Sequence, residues 1–132
     1  MGTPLTTEEE DRITALHEEV LDYNWDDGAE RMLEIARDPT CDLGTAMQIY
    51  WNAQPVFYKQ FASRGDVESY NLASFDLVAE IEKKVAAGFY KSGLVFYDPR
   101  EDQVIDDDDP DTGKIPPVML QKVEGKYYRG DQ

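Results

Sequence analysis

The sequence predicts a mainly α-helical protein made of stacked antiparallel helical hairpins, with about five helices and a short extended or β-hairpin segment at its C-terminal end. Two observations support this fold class. Apolar residues recur at intervals of three and four residues through the first two thirds of the chain, which is the spacing of amphipathic helices. Short junctions rich in acids, glycine and proline separate these segments, as in helical hairpins joined by tight turns. The 132 residues suit a single domain over 1–132, with a helical part over about 7–88 and an extended, acid-rich part over about 89–132.

The first helix is predicted from about Thr7 to Tyr23. Thr7 and Glu10 have the spacing of a capping box, in which each side chain accepts a backbone amide at the start of a helix. The apolar face follows at helical spacing. Its residues are Ile13, Leu16, His17, Val20 and Leu21.

The stretch "YNWDDG" after this helix is typical of a turn between helices. Asn24 readily adopts the left-handed conformation that stops a helix, and Asp26 or Asp27 can accept the free amides of a second helix. Gly28 permits a tight path. The second helix should end before Pro39, because a residue that precedes proline is disfavoured in helical geometry. Its apolar face contains Ala29, Met32, Leu33 and Ala36.

Three further helices are predicted. Asp42 caps the third, whose apolar residues form the most regular amphipathic pattern in the chain. These residues are Leu43, Ala46, Met47, Tyr50 and Trp51. Pro55 is placed to start a short fourth helix, with an aromatic face made of Phe57, Tyr58 and Phe61. A long fifth helix runs from about Ser69 to Ala87 and stops at Gly88. Its buried residues are expected to be Leu77, Val78, Ile81 and Val85.

The segment after Gly93 is predicted to be extended. "LVFY" and "QVI", separated by "DPRED", are two short strands joined by a turn in one interpretation and an irregular extended segment in the other. The acidic run from Asp106 to Gly113 should be a solvated loop. A short apolar piece over Val118 to Val123 follows, and the tail "YYRGDQ" is expected to fray.

The two junctions together resemble the signature of a known family. "YNWDDG" and "DPTCDLGTA", with Leu16 and His17 upstream and "QIYW" downstream, are similar to the Domain of Unknown Function 4274 family of small, mainly bacterial proteins. The similarity covers about Leu16 to Trp51, and the later "IEKKVAAGFY" is compatible with it. The signature positions are Tyr23, Asn24, Trp25, Asp26, Asp27, Gly28, Cys41, Asp42, Leu43, Gly44 and Thr45. The resemblance implies a compact, largely helical fold and carries no agreed activity or cofactor.

The charge balance restricts the class of partner. Thirteen basic residues against 28 acidic residues give a net charge of −15, which repels nucleic acids and anionic membranes and favours basic proteins. Plain solubility is the alternative explanation of the same charge. Cys41 is the only cysteine, so the chain cannot form an internal disulfide, and its acidic start lacks the features of a secretory signal. We expect a cytoplasmic protein.

The chemically reactive residues have structural explanations. His17, the only histidine, lies on an apolar helix face, where a neutral imidazole can pack and hydrogen-bond a neighbour. Cys41 is at a predicted helix start, which can lower a thiol pKa, although buried inert cysteines are commoner. In the competing enzyme hypothesis Cys41 is the nucleophile and His17 the base. Asp27 or Asp42 would orient the base. In a further alternative, Asp22, Asp26 and Asp27 would form an acid pair or bind a divalent cation.

The aromatic and acidic clusters each suggest a second role. Trp25, Tyr50 and Trp51 have the spacing of core residues, and a binding groove is the alternative. The acidic run does not match a calcium loop, because Thr112 stands where an EF-hand requires glycine and Val118 where it requires glutamate. We therefore expect no metal site and no cofactor.

The sequence favours a noncatalytic acidic protein-binding domain that docks a basic partner. An immunity or inhibitor protein that neutralises a toxin has this profile, as does an adaptor. The predicted partner-binding residues are Asp106, Asp107, Asp108, Asp109 and Asp111. One alternative is a helical assembly module. The other is a small hydrolase or metal-assisted enzyme that uses Asp26, Asp27, His17 and Cys41.

Overall fold

The computed structural model describes residues 6–91 and 93–127, and most of its ordered elements are helical. The α-helices are α1 (Thr7–Asp22), α2 (Glu30–Arg37), α3 (Leu43–Asn52), α4 (Pro55–Tyr58) and α5 (Leu72–Ala86). Short 3₁₀ helices occupy Trp25–Asp27, Arg64–Asp66, Ser69–Asn71, Pro110–Lys114 and Pro117–Leu120. The strands are β1 (Gly93–Val95) and β2 (Gly125–Tyr127). The prediction of a mainly helical fold with about five helices is confirmed.

Helix α3 lies at the centre of the described part. Seven of its ten residues are buried, and it contacts α1, α2, α4, α5 and β1. Its sequence "LGTAMQIYWN" has almost no polar face, and a helix that is apolar on all sides belongs in the interior. Tyr50 and Trp51 are 0% and 3% exposed, as predicted for core residues. The Trp51 indole donates a hydrogen bond to the Met119 carbonyl at 3.0 Å, which satisfies its polar group.

Helix α1 begins with a capping box one residue earlier than predicted. The Thr6 hydroxyl accepts the Glu9 amide at 3.1 Å, and the Glu9 carboxylate accepts the Thr6 amide at 3.0 Å. The predicted pair, Thr7 and Glu10, is wrong because a capping residue needs extended backbone. Thr6 has that backbone, with ψ 162°, whereas Thr7 is already helical.

Helix α5 buries most of the face that the sequence predicts. Its buried residues are Leu77, Val78 and Ile81. Val85 is half-buried. The helix starts later than predicted because a 3₁₀ helix occupies Ser69–Asn71. Gly88 has a φ of +72°, which is the conformation that glycine adopts just after a helix C-terminus.

Of the two predicted alternatives for the C-terminal part, the hairpin is wrong. Strand β1 begins one residue before "LVFY", but it pairs in parallel with β2, with Gly93 opposite Gly125. The stretch "QVI", predicted as the second strand, is not a strand. After β1 the chain turns, because the Asp102 amide donates to the Asp98 carbonyl at 3.0 Å. Gln103 then takes a positive φ of 59°, which breaks the extended geometry that a strand requires.

Two further findings concern membrane-spanning helices and the C-terminal tail. None of the helices in the described part of the chain has both the length and the apolarity that crossing a bilayer requires. The prediction of a frayed tail concerns mainly residues 128–132, which lie outside the described residues.

The backbone of β1 packs directly on the first turn of α3. A methyl group on Gly44 would lie 2.8 Å from the Val95 carbonyl carbon and closer still to its oxygen. A methyl group on Gly125 would meet the same carbonyl oxygen at 2.7 Å. Neither glycine has room for a side chain, so both allow backbone segments to approach more closely than other residues permit.

Gly44→Ala should therefore destabilise the protein by about 1–3 kcal/mol, the usual cost of overpacking a filled interior. Alanine favours helix over glycine, so a loss of stability reports the contact with Val95. Urea unfolding followed by circular dichroism measures the change.

Gly113→Ala is the matched control, because a methyl group at this exposed position has no neighbour within 4 Å. We expect it to be as stable as the wild type. A Gly44→Ala variant with unchanged stability would show that β1 does not rest on α3.

Candidate functional site

The Asp42 carboxylate connects α3 to β1. Its Oδ2 atom accepts the Gly44 amide at 3.1 Å and the Val95 amide at 3.2 Å. The first bond caps α3, as predicted. The Leu43 amide adds a bond to the Lys91 carbonyl at 2.6 Å. One side chain thus fixes the start of a helix and a strand residue 53 positions away in the sequence.

Asp42 is 2% exposed, and two opposing effects act on its ionisation. Burial raises the pKa of the carboxyl group, and it outweighs the amides of Gly44, Val95 and Leu94, which lower the pKa. The acid is enclosed by backbone donors and has almost no access to solvent. Packing and capping therefore account for the signature "CDLG".

The junction "YNWDDG" is held by local hydrogen bonds. The Asn24 side chain accepts the Asp26 amide at 3.0 Å, which caps the 3₁₀ helix Trp25–Asp27. The prediction of a left-handed Asn24 is wrong, because its backbone is extended at φ −91° and ψ 107°. Gly28 takes the positive φ instead, at 97°. Its carbonyl accepts the Tyr23 hydroxyl at 2.6 Å, which closes the junction.

Asp26 and Asp27 do not cap α2, contrary to the prediction. Ala29 occupies the N-cap position and offers no capping side chain. Both acids are exposed, so they do not form the desolvated pair that acid-base catalysis needs. Trp25 is half-buried rather than fully in the core. It packs edge-on against Tyr23, with ring centroids 5.9 Å apart.

His17 and Cys41 are both buried. The His17 Nδ1 atom lies 3.0 Å from the Thr45 hydroxyl, and the Cys41 thiol donates to the Asp42 carbonyl at 3.6 Å. Burial raises the pKa of the Cys41 thiol, and the carboxylates of Asp42 and Asp38 raise it further. Of the two interpretations of Cys41, the structure therefore agrees with the buried, inert cysteine and not with a thiol whose pKa is lowered at a helix start. A buried, protonated thiol is a poor nucleophile.

The acidic run is more ordered than the predicted solvated loop. Asp106 accepts the Asp108 amide at 3.0 Å, and Asp109 accepts the Asp111 amide at 2.8 Å. Each bond closes a tight turn of the kind that aspartate favours. Asp109 thereby caps the 3₁₀ helix Pro110–Lys114. Among the described residues, no group of three or more His, Cys, Asp or Glu side chains is arranged to hold a metal ion.

The acids of this run form two sets that differ in exposure. The exposed set is Asp106, Asp107 and Asp108, and the half-buried set is Asp109 and Asp111. Arg100 pairs with Asp107 at 2.9 Å. Lys114 pairs with Asp111 at 2.9 Å and also donates to the Lys59 carbonyl at 3.1 Å, just after α4. Lys114 therefore connects the acidic run to the end of α4.

A groove of about 570 Å³ lies between α4 and the acidic run. Val56 and Phe57 of α4, with Val104, supply apolar surface, and Asp109 and Asp111 supply carboxylates. Phe57 is 44% exposed, which is high for a large aromatic residue. The half-buried acids thus line a concave surface, and the exposed acids lie outside it. We take this groove and the exposed set as the candidate site.

The sequence indicates the aromatic residues of α4 and the acidic run separately. It does not predict that the two segments contact each other. The signal on one side was the aromatic face of the fourth helix. Phe57 and Tyr58 are adjacent, and only Tyr58 is buried. No local pattern relates Phe57 to Asp109, because only the tertiary structure brings these segments together.

The comparisons with known proteins identify part of the chain. A family model described as Domain of unknown function (DUF4274) matches residues 11–86, which is more than half of the 132 residues. The match includes both junctions, and it ends before β1 and the acidic run. No curated protein and no solved structure matches the chain.

Asp42→Ala should destabilise the protein by about 2–4 kcal/mol, because it removes a helix cap and leaves buried amides without an acceptor. Asp42→Asn keeps an oxygen for the Gly44 and Val95 amides and should cost about half as much or less. Urea unfolding of both variants measures the difference. Equal losses would show that the negative charge, rather than the hydrogen bonds, holds α3 to β1.

Cys41 should react with a disulfide reagent such as dithiobisnitrobenzoate only when the protein opens, because the residue is buried and 1% exposed. Absorbance at neutral pH measures the rate, and urea-unfolded protein gives the rate of the free thiol. Fast labelling of the native protein would contradict the burial of Cys41 and would support the enzyme hypothesis.

Proposed function

This chain belongs to the family of the Domain of unknown function (DUF4274), and we propose that it is a noncatalytic acidic protein that binds a basic protein. Neutralisation of a toxin by an immunity or inhibitor protein is the role that this profile fits best, and recruitment by an adaptor is the same kind of binding. One observation carries the proposal. The exposed set of Asp106, Asp107 and Asp108 lies next to a groove that contains two further carboxylates.

The excess of acid cannot be neutralised within the chain. Within the part of the chain that the structure describes, nine basic residues already form ion pairs with acids, while the whole sequence has 13 basic and 28 acidic residues. Within the exposed set, only Asp107 has a cationic partner among the described residues. That pair is itself exposed, at 55% for Arg100 and 71% for Asp107. Exposed pairs of this kind are weak, so they leave the negative surface available to a partner.

The environments of His17 and Cys41 support a noncatalytic role. A thiol nucleophile needs a base within hydrogen-bonding reach and access for a substrate. The imidazole of His17 lies within hydrogen-bonding distance of the Thr45 hydroxyl, Cys41 is buried, and neither residue lines the groove. These residues are better explained as parts of the core.

Binding of this type depends on charge complementarity. An acidic surface raises the rate of encounter with a basic protein and disfavours acidic ones. Where the partner normally binds phosphates, the carboxylates of the exposed set would occupy the same positions. An acidic inhibitor of a basic protein works in this way without catalysing a reaction.

Changing Asp106, Asp107, Asp108 and Asp109 together to Asn should slow association with the partner by about tenfold at low salt. Folding should be nearly unchanged, because an Asn side chain still accepts the amides that close the two turns. Stopped-flow association with basic proteins encoded beside the gene, over a salt series, is the measurement. The wild-type rate should fall with salt and the variant rate should depend on salt less.

A matched control removes the same charge elsewhere. Glu8, Asp11, Asp26 and Asp27 are exposed, and changing all four to their amides gives the same net charge of −15 + 4 = −11. This control should associate faster than the variant of the acidic run. Equal rates for the two variants would mean that net charge alone acts. Absence of binding to any basic neighbour at low salt would contradict the proposed function.

A further inference from the structure

The groove between α4 and the acidic run has two chemically different ends. Phe57 and Val56 form an apolar wall, and Val104 adds to it. The Phe57 ring is held edge-on by its neighbours Tyr58 and Phe61, with centroids 5.0 and 5.6 Å away. Although fixed in this way, Phe57 stays 44% exposed. It therefore presents a preorganised aromatic surface to whatever enters the groove.

The acidic end of the groove contains one carboxylate that is not neutralised. Asp111 is paired with Lys114 at 2.9 Å. No cationic side chain among the described residues pairs with Asp109, which is half-buried. One Asp109 oxygen accepts the Asp111 amide at 2.8 Å, and a carboxylate has acceptor capacity beyond that single bond. A cation in the groove would therefore be attracted first to Asp109.

Amide side chains also line the groove. The amide nitrogen of Gln60 donates to the Phe57 carbonyl at 2.8 Å, so its carbonyl oxygen is the atom left to accept a hydrogen bond. Asn52 and Gln54 also line the groove. The volume of about 570 Å³ is within the range of sites that enclose a small ligand.

We propose that this groove receives an arginine side chain from the basic protein partner, with the edge of the guanidinium hydrogen-bonded to Asp109 and its face stacked on the Phe57 ring. The inference rests on the proposed function and specifies what the groove recognises. A guanidinium is planar, is weakly hydrated and stacks on aromatic rings, and its five donors suit a carboxylate together with amide oxygens. A lysine ammonium has the charge but lacks the planar surface and the spread of donors. Arginine is therefore preferred over lysine.

The test uses three acetylated pentapeptides, Gly-Ser-Xaa-Ser-Gly amides, in which Xaa is arginine, lysine or the neutral isostere citrulline. Each is titrated into isotopically labelled protein at millimolar concentration and about 0.15 M ionic strength, where distant charges are largely screened. Shift changes for the arginine peptide should concentrate at Phe57, Gln60 and Asp109. The lysine peptide should bind at least about threefold more weakly, and the citrulline peptide should show no saturable binding.

Two variants with the same change of charge locate the site. Asp109→Asn should weaken the arginine peptide at least about fivefold, because it removes a charge-assisted hydrogen bond in a half-buried position. Asp108→Asn, one residue away and exposed, should change the affinity by less than about twofold. Phe57→Leu keeps an apolar wall without the aromatic ring and should also weaken arginine more than lysine. It provides an independent readout if Asp109→Asn lowers the melting temperature.

The outcomes separate this inference from the proposed function. Equal weakening by Asp108→Asn and Asp109→Asn, or equal affinities for arginine and lysine, would overturn arginine recognition by the groove. Salt-dependent association with a basic neighbour would still support the proposed function in that case. Binding of the arginine peptide at the groove, weakened at least about fivefold by Asp109→Asn and by less than about twofold in Asp108→Asn, would support the inference even before the natural partner is identified.

Discussion

The rest of the structure depends on how the backbone amides at the N-terminus of α3 are hydrogen-bonded. This helix is buried over most of its surface, so its first amides have no access to water and need acceptors within the protein. Asp42 provides one, and the same oxygen also binds the Val95 amide of β1. Gly44 completes the arrangement by letting the strand backbone approach the helix. A surface helix would need only the cap, whereas a central helix needs the strand as well.

The opposite end of α3 sets the position of the candidate site. Trp51 is anchored through its indole to the Met119 carbonyl, and it also lines the groove. Pro55 starts α4 three residues after α3 ends, which places Phe57 against the groove. Lys114 then ties the acidic run to the carbonyl of Lys59. The groove is thus held by a buried tryptophan at one side and a lysine contact at another, while the exposed acids stay outside it.

The sequence was sufficient where local chemistry decides the structure. The apolar spacing of α3 and α5, the Asp42 cap, the proline start of α4 and the glycine after α5 all act within a few residues. The sequence was insufficient where two nearby residues could each fill the same local role. Thr6 and Thr7 offer the same capping spacing, and only the backbone conformation distinguishes them. Asn24 and Gly28 are both compatible with a left-handed residue, and the hydrogen bond of the Asn24 side chain to Asp26 resolved that choice.

The remaining failures concern contacts between distant segments. The parallel pairing of β1 with β2 joins residues 32 positions apart, from 125 − 93, and Gln103 prevents the hairpin that the nearer sequence suggests. The groove also depends on contacts between distant segments, because α4 ends at Tyr58 and the acidic run begins only at Asp106. The half-burial of Asp109 could not be distinguished from the exposure of Asp108 by composition, since both belong to one run of identical residues.

The hydrogen bond between Asp42 and Val95 affects the order in which contacts form while the chain is being synthesised. The family match ends at residue 86, so all of its matched helices emerge from the ribosome before the strand that completes the α3 cap. During that interval the helices can associate, but the first turn of α3 lacks its contact with Val95, and contacts between residues distant in sequence form slowly because closing the intervening loop costs entropy. The segment that the family model matches is therefore shorter than the length of chain that completes the surroundings of α3, which extends through β1 to the segment that carries Met119.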